Sequence, residues 1–203
     1  MNSTIADLAA LGKVFEQHRV RLLAMVDRRM DPALRARMSS EDILQESFEL
    51  ARIRWAEFSG RQKTSPDSLS GQSVYSWLYR ITLDALIEAW RKHSRGPRDV
   101  RKEMPLPEAS SIQLGCGLIA QEPGPATRLQ QKELRELIRK AMSLLTDSDR
   151  DVLWMRSSDK LSFSEIGDVL EITENTATLR YLRAIGRLRK LWHELCPDFG
   201  STL

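Results

Sequence analysis

Glycine and proline are crowded into one part of this chain, at Gly96, Pro97, Pro105, Pro107, Gly115, Gly117, Pro123, Gly124 and Pro125. Proline removes a backbone donor and glycine carries a large entropic cost, so this density predicts neither a regular helix nor a strand. The chain is therefore expected to fold as two units, residues 1–95 and 129–203, joined by a flexible linker over 96–128. From Glu103 to Thr127 the linker carries three acidic residues, Glu103, Glu108 and Glu122, and no basic one. That suits a solvated tether or a segment threaded through a partner.

Both flanking units read as helical, because apolar residues recur at three- and four-residue steps and no sustained period-two run of β-branched residues occurs. The fold class is thus all-α. In a first helix Phe15, Leu22, Leu23, Val26 and Met30 share one side, and Asp31-Pro32 ends it. A second begins at Ser39 or Ser40, with Asp42 in a variant of the capping box. Its buried stripe is Leu44, Phe48, Ala51, Trp55 and Phe58, while Asp42, Gln45, Glu46 and Glu49 form an acidic stripe on the other side. The polar stretch Ser59 to Ser73, with Gly60, Pro66 and Gly71, is expected to break the pattern.

A third helix runs from about Val74 to His93, with a wide apolar arc and one narrow stripe of Trp77, Arg80, Asp84, Glu88, Arg91 and Arg95. An aromatic within a partly basic stripe suits unstacked bases, and the alternative is a Trp77 that packs against a neighbouring helix. After the linker comes a helix around Leu129 to Leu144. Thr146 with Asp149 opens a short one, and Ser162 with Glu165 is a capping box before another. A break at Glu171-Ile172 leads to a longer helix from Thr173, in the proportions of a helix-turn-helix. In that last helix Ala177, Tyr181, Ala184, Ile185, Leu188 and Trp192 share one arc, with Arg180, Arg183, Arg187 and Lys190 almost opposite. Such a cationic stripe is either a solvated face or a surface for DNA phosphates, with residues near the helix start reaching base edges.

The whole chain of 203 residues has 31 Lys+Arg against 28 Asp+Glu, a net charge of only +3, so the distribution of charge matters more than its total. No apolar run approaches the ~20 residues that span a bilayer, and the N-terminus lacks a signal-peptide pattern. Cys116 and Cys196 lie far apart, as do His18, His93 and His193. This predicts no disulfide framework, metal or other cofactor, and fits a reducing cytoplasmic home. Without a nucleophile motif or phosphate loop the chain is not expected to be an enzyme.

Three motifs in order carry a family resemblance: Asp42-Ile43-Leu44-Gln45-Glu46-Ser47-Phe48, then Ser76-Trp77-Leu78-Tyr79-Arg80-Ile81, then Ser164-Glu165-Ile166-Gly167 with Arg180-Tyr181-Leu182-Arg183-Ala184. The chain resembles bacterial RNA polymerase sigma factors of the sigma-70 family, in the extracytoplasmic-function (ECF) group that keeps regions 2 and 4. The resemblance implies that core RNA polymerase docks on Asp42, Gln45, Glu46 and Glu49. It implies that Trp77, Arg80, Asp84, Arg91, Lys92 and Arg95 lie at the proximal promoter element, where duplex opens. The Ser59 to Ser73 stretch would correspond to the family's loop that captures a flipped base. Asn175, Thr176, Thr178, Arg180, Arg183 and Arg187 would meet the distal element of promoter DNA. The linker would thread the polymerase cleft, and an anti-sigma factor is the partner that commonly holds such a factor inactive. A monomer is expected for the free chain.

Some positions depart from the family pattern. Asp84 stands where Asn is common, Thr178 and Leu179 where a basic residue and a serine are common, Ala177 for a usual valine, and Glu171 where glycine is frequent. The promoter sequence therefore does not transfer from better-known members. The competing function class is a dimeric helix-turn-helix regulator of duplex operators, which needs no acidic stripe. An adaptor module, in turn, needs no arginine stripe.

Overall fold

The computed structural model describes residues 2–64, 74–93, 107–119 and 128–196. Every regular element among them is an α-helix, as the apolar periodicity predicts. The chain divides into two compact units, Met1–Met104 with Asp168–Glu171 and Pro105–Gly167 with Ile172–Leu203.

The first unit is built on α1 (Asn2–Arg29), α3 (Ser40–Thr64) and α4 (Val74–His93), which pack pairwise on one another. Between the first two, Asp31 does more than end α1. Its carboxylate accepts from the Ala33 N–H at 2.7 Å and N-caps the single turn α2 (Pro32–Arg35), where Pro32 takes the first position at which a missing N–H costs nothing. The start of α3 is fixed by a reciprocal box. The Ser39 N–H donates to Asp42 at 2.8 Å and the Asp42 N–H donates to the Ser39 hydroxyl at 3.2 Å. Leu11, Leu22, Met25, Ile43, Leu78 and Leu86 are completely buried between these helices. Phe15 meets Phe48 edge-on at 5.1 Å, and the Arg21 guanidinium lies 3.7 Å over the Tyr75 ring.

Two expectations need correction. The break expected at Ser59 begins later, because α3 continues through Gly60 to Thr64. A single glycine costs a helix only about 0.5–1 kcal/mol, too little to outweigh the packing of Trp55 and Phe58 just before it. Residues 65–73 of that stretch lie outside the described residues. The second correction concerns the linker, which contains a twelve-residue helix, α5 (Glu108–Ile119). Its Leu114 and Ile119 are buried against the second unit, and this burial outweighs the helix-breaking tendency of Gly115 and Gly117. Gly115 is required there, since a Cβ at that position would stand 2.4 Å from Ile138 Cγ2.

The second unit packs α5 on α6 (Arg128–Ser143), and packs α6 and α7 (Asp147–Ser157) on α9 (Glu174–Leu195). Arg150 closes the end of α6 by donating to the carbonyls of Met142 at 2.9 Å and Leu145 at 2.7 Å. Thr146 N-caps α7, accepting from the Asp149 N–H at 3.1 Å. The Ser162 and Glu165 box opens α8 (Phe163–Leu170), with the Ser162 N–H donating to Glu165 at 2.8 Å and the Glu165 N–H to Ser162 at 3.1 Å.

Candidate nucleic-acid interface and acidic groove

The turn between α8 and α9 is tight for two local reasons. A Cβ at Gly167 would lie 2.7 Å from the Ile172 carbonyl oxygen, so only glycine lets the turn fold back on α8, where the Ile172 N–H donates to the Gly167 carbonyl at 2.9 Å. Glu171 then takes the left-handed backbone, at φ 55°, that its side chain disfavours. Thr173 N-caps α9 by accepting from the Thr176 N–H at 3.2 Å. Phe163 meets Tyr181 edge-on at 5.6 Å, and the Arg156 guanidinium lies 4.6 Å over the Phe163 ring while donating to the Leu161 carbonyl.

The buried side of α9 is Ala177, Ala184, Leu188 and Trp192, while Tyr181 and Ile185 sit at its margin. Asn175, Arg180 and Arg183 are exposed, free to meet a ligand. The predicted Arg187 is different. Its guanidinium donates to Asp149 of α7 at 2.6 Å, and that carboxylate is only 12% exposed, so Arg187 clasps α9 to α7. The hydroxyl of Thr176 is engaged with Thr173 at 2.8 Å, and that of Thr178 donates to the Glu174 carbonyl at 3.0 Å.

In the first unit, Asp42, Gln45, Glu46 and Glu49 are all exposed, as the stripe predicts. They form one wall of an open groove of about 860 Å³, whose other wall is α4 with Asp84, Glu88, Arg91 and Lys92. Residues assigned by resemblance to polymerase and to the proximal element thus share one groove. Ile53, 71% exposed, joins it and is an apolar residue missed in sequence. The signal was present, because Ile53 follows Glu46 and Glu49 at helical spacing on the side of the acidic stripe. Bonds from the Ser39 N–H and hydroxyl hold the Asp42 carboxyl below the usual range. Burial against the groove wall pushes Asp84 up, opposed by the guanidinium groups of Arg80 and Arg54.

Trp77 does not lie in an exposed stripe. It is 9% exposed, stacked on Phe58 at 4.3 Å with Trp55 at 5.8 Å, so the packing alternative holds for this residue. Three aromatic rings share one contact there, and burying that area outweighs leaving an indole in water. Arg80 is half-buried, and Arg95 lies outside the described residues. No group of three or more potential metal ligands occurs among the described residues, and no helix there is long and apolar enough to cross a membrane.

A capped short helix, a glycine-dependent turn and a longer helix with cations outward define the second unit as a helix-turn-helix of the DNA-binding class. Residues 141–190 match the model of the family described as sigma-70, region 4. The chain is 28% identical over 156 residues to the ECF RNA polymerase sigma factor SigW of Bacillus subtilis (strain 168), covering 77% of this chain and 76% of that protein. It is 26% identical over 144 residues to the ECF RNA polymerase sigma-E factor of Salmonella typhimurium (strain LT2), covering 70% and 68%. To the sigma-E factor of Escherichia coli (strain K12) it is 27% identical over 119 residues, 58% of this chain and 61% of that one. By these matches the chain is similar to ECF sigma factors of the sigma-70 family over most of its length, and its residues 141–190 match that family's region 4.

Proposed function

We propose that this chain binds core RNA polymerase, directs it to specific promoters and assists their melting, with no chemistry of its own. The observation that carries this reading is the outward Arg180 and Arg183 face of a helix-turn-helix within the residues that match sigma-70 region 4. In the proposal, residues 129–203 meet the distal element, with Asn175, Arg180 and Arg183 turned to the major groove. Residues 1–95 dock the polymerase through Asp42, Gln45, Glu46 and Glu49, where acidic groups opposite a basic partner supply orientation and on-rate. Arg91 and Lys92, at the end of the same groove, lie toward the proximal element with Arg80 and Asp84. Trp77 supports that surface from beneath and does not stack on a base. The free chain is a cytoplasmic monomer in this reading, and an anti-sigma protein is the partner that holds it inactive. An operator-binding regulator has no use for the acidic groove.

Run-off transcription with core polymerase from the chain's own host, on a library of upstream sequences, tests the proposal. Start-site-specific transcripts are expected only when this protein is added. Duplex binding without initiation by a competent core enzyme would overturn it.

A further inference from the structure

We propose that Leu179 reads a thymine in the distal element through the C5 methyl group, an inference that rests on the DNA-binding role of α9. Leu179 is 43% exposed, whereas Leu188, nine residues on and so about 180° around the helix at ~100° per residue, is 1% exposed. Leu179 therefore stands on the outward face, away from the core. Asn175 lies one turn before it and Arg183 one turn after. Two turns on is Gly186, where nothing stands within 4 Å of the position a Cβ would take.

The hydroxyls of Thr176 and Thr178 are already engaged, so the outward groups of this half are the Asn175 amide, the isobutyl groups of Leu179 and Leu182, and two guanidinium groups. Leu179 and Leu182, the latter 55% exposed, are set among cations and are too small a surface for the contiguous patch an apolar protein partner would demand, so this face fits a polyanion better. In the major groove of DNA the apolar feature among the base edges is the thymine methyl. Desolvating one methyl against Leu179 also gives discrimination that polar contacts at the same place would not.

The test uses the full chain assembled with core polymerase. Duplexes randomised across the distal element are selected for binding, and each thymine of the selected element is then replaced singly by deoxyuridine, which pairs identically but lacks the methyl. The wild-type protein is expected to lose about fourfold in affinity at one position, the value for one buried methyl-sized group. Leu179→Ala is expected to bind both duplexes equally while melting close to wild type, since the side chain faces away from the core. A selected element without thymine, tolerance of deoxyuridine at every position, or the same penalty in Leu179→Ala would each overturn the inference. Selection of no element at all, with polymerase bound, would overturn the DNA-binding reading beneath it.

Discussion

Two carboxylates of one groove respond to their surroundings in opposite directions. Asp42 accepts the Ser39 N–H and hydroxyl and is held below the usual range, so its contribution is fully present above ordinary carboxylate values and lost as pH falls through its lowered pKa. Asp84 is pushed up by burial, so the folded protein holds that proton more tightly and its stability falls as pH rises through the raised value. Thermal melts of two variants separate these effects. Asp42→Ala is expected to melt below wild type at about pH 7, with the deficit shrinking toward about pH 3. Asp84→Asn is expected to melt above wild type at about pH 7, and its gain also shrinks on acidification, because the wild-type carboxyl then becomes neutral. A difference independent of pH for either variant would contradict the assigned cause. Arg187 shows why residue roles cannot be read from a stripe alone. It shares a helical arc with Arg180 and Arg183, yet its partner is a nearly buried carboxylate 38 residues away.

Helix α5 carries two glycines with opposite requirements. A methyl group at Gly115 would meet Ile138 Cγ2 at 2.4 Å and Met142 Cγ at 3.0 Å, both on buried side chains, whereas nothing stands within 4 Å of one at Gly117. Gly115→Ala should therefore overpack the α5 and α6 contact and destabilise the second unit by about 1–3 kcal/mol. Gly117→Ala should stabilise it by about 0.5–1 kcal/mol through helix propensity. Chemical denaturation of both variants checks this, and equal small effects would mean that α5 does not pack as described. The same helix marks the limit of sequence reading at this scale. The caps at Ser39, Thr146 and Ser162 were legible because donor and acceptor lie within three residues. Helix α9 was legible because its core and cationic arcs are separated on one wheel. Composition misled over Glu108–Ile119, where the partner surface on α6 decides and no local count registers it. It also left Trp77 undecided, because the rings of Trp55 and Phe58 that bury it come from another helix.

Over the whole molecule the net charge of +3 hides two surfaces of opposite character. The wall of Asp42, Glu46 and Glu49 lies on the first unit, and the outward arginines of α9 lie on the second. If each surface has its own partner, variants on one should leave the other interaction intact. Arg180→Ala with Arg183→Ala is expected to cost at least about tenfold in distal-element use, given about 1–3 kcal/mol for a good guanidinium contact to a base. Where the lost contact is to phosphate, the slope of log affinity against log salt should flatten by about 0.9 per contact. Core binding by this variant should match wild type. Gln45→Ala with Glu46→Ala should instead slow association with core polymerase at low salt. Exposed charges contribute only about 0.2–1 kcal/mol each, so the affinity should fall by about fivefold at most, and the effect should fade as salt rises. Duplex preference, measured once the variant is saturated with core enzyme, should stay unchanged. Core affinity measured by fluorescence anisotropy and promoter use measured by run-off transcription give the four values needed. Loss of both activities in either double variant would mean that the two surfaces do not act separately, and unchanged core binding by Gln45→Ala with Glu46→Ala would refute the docking assignment.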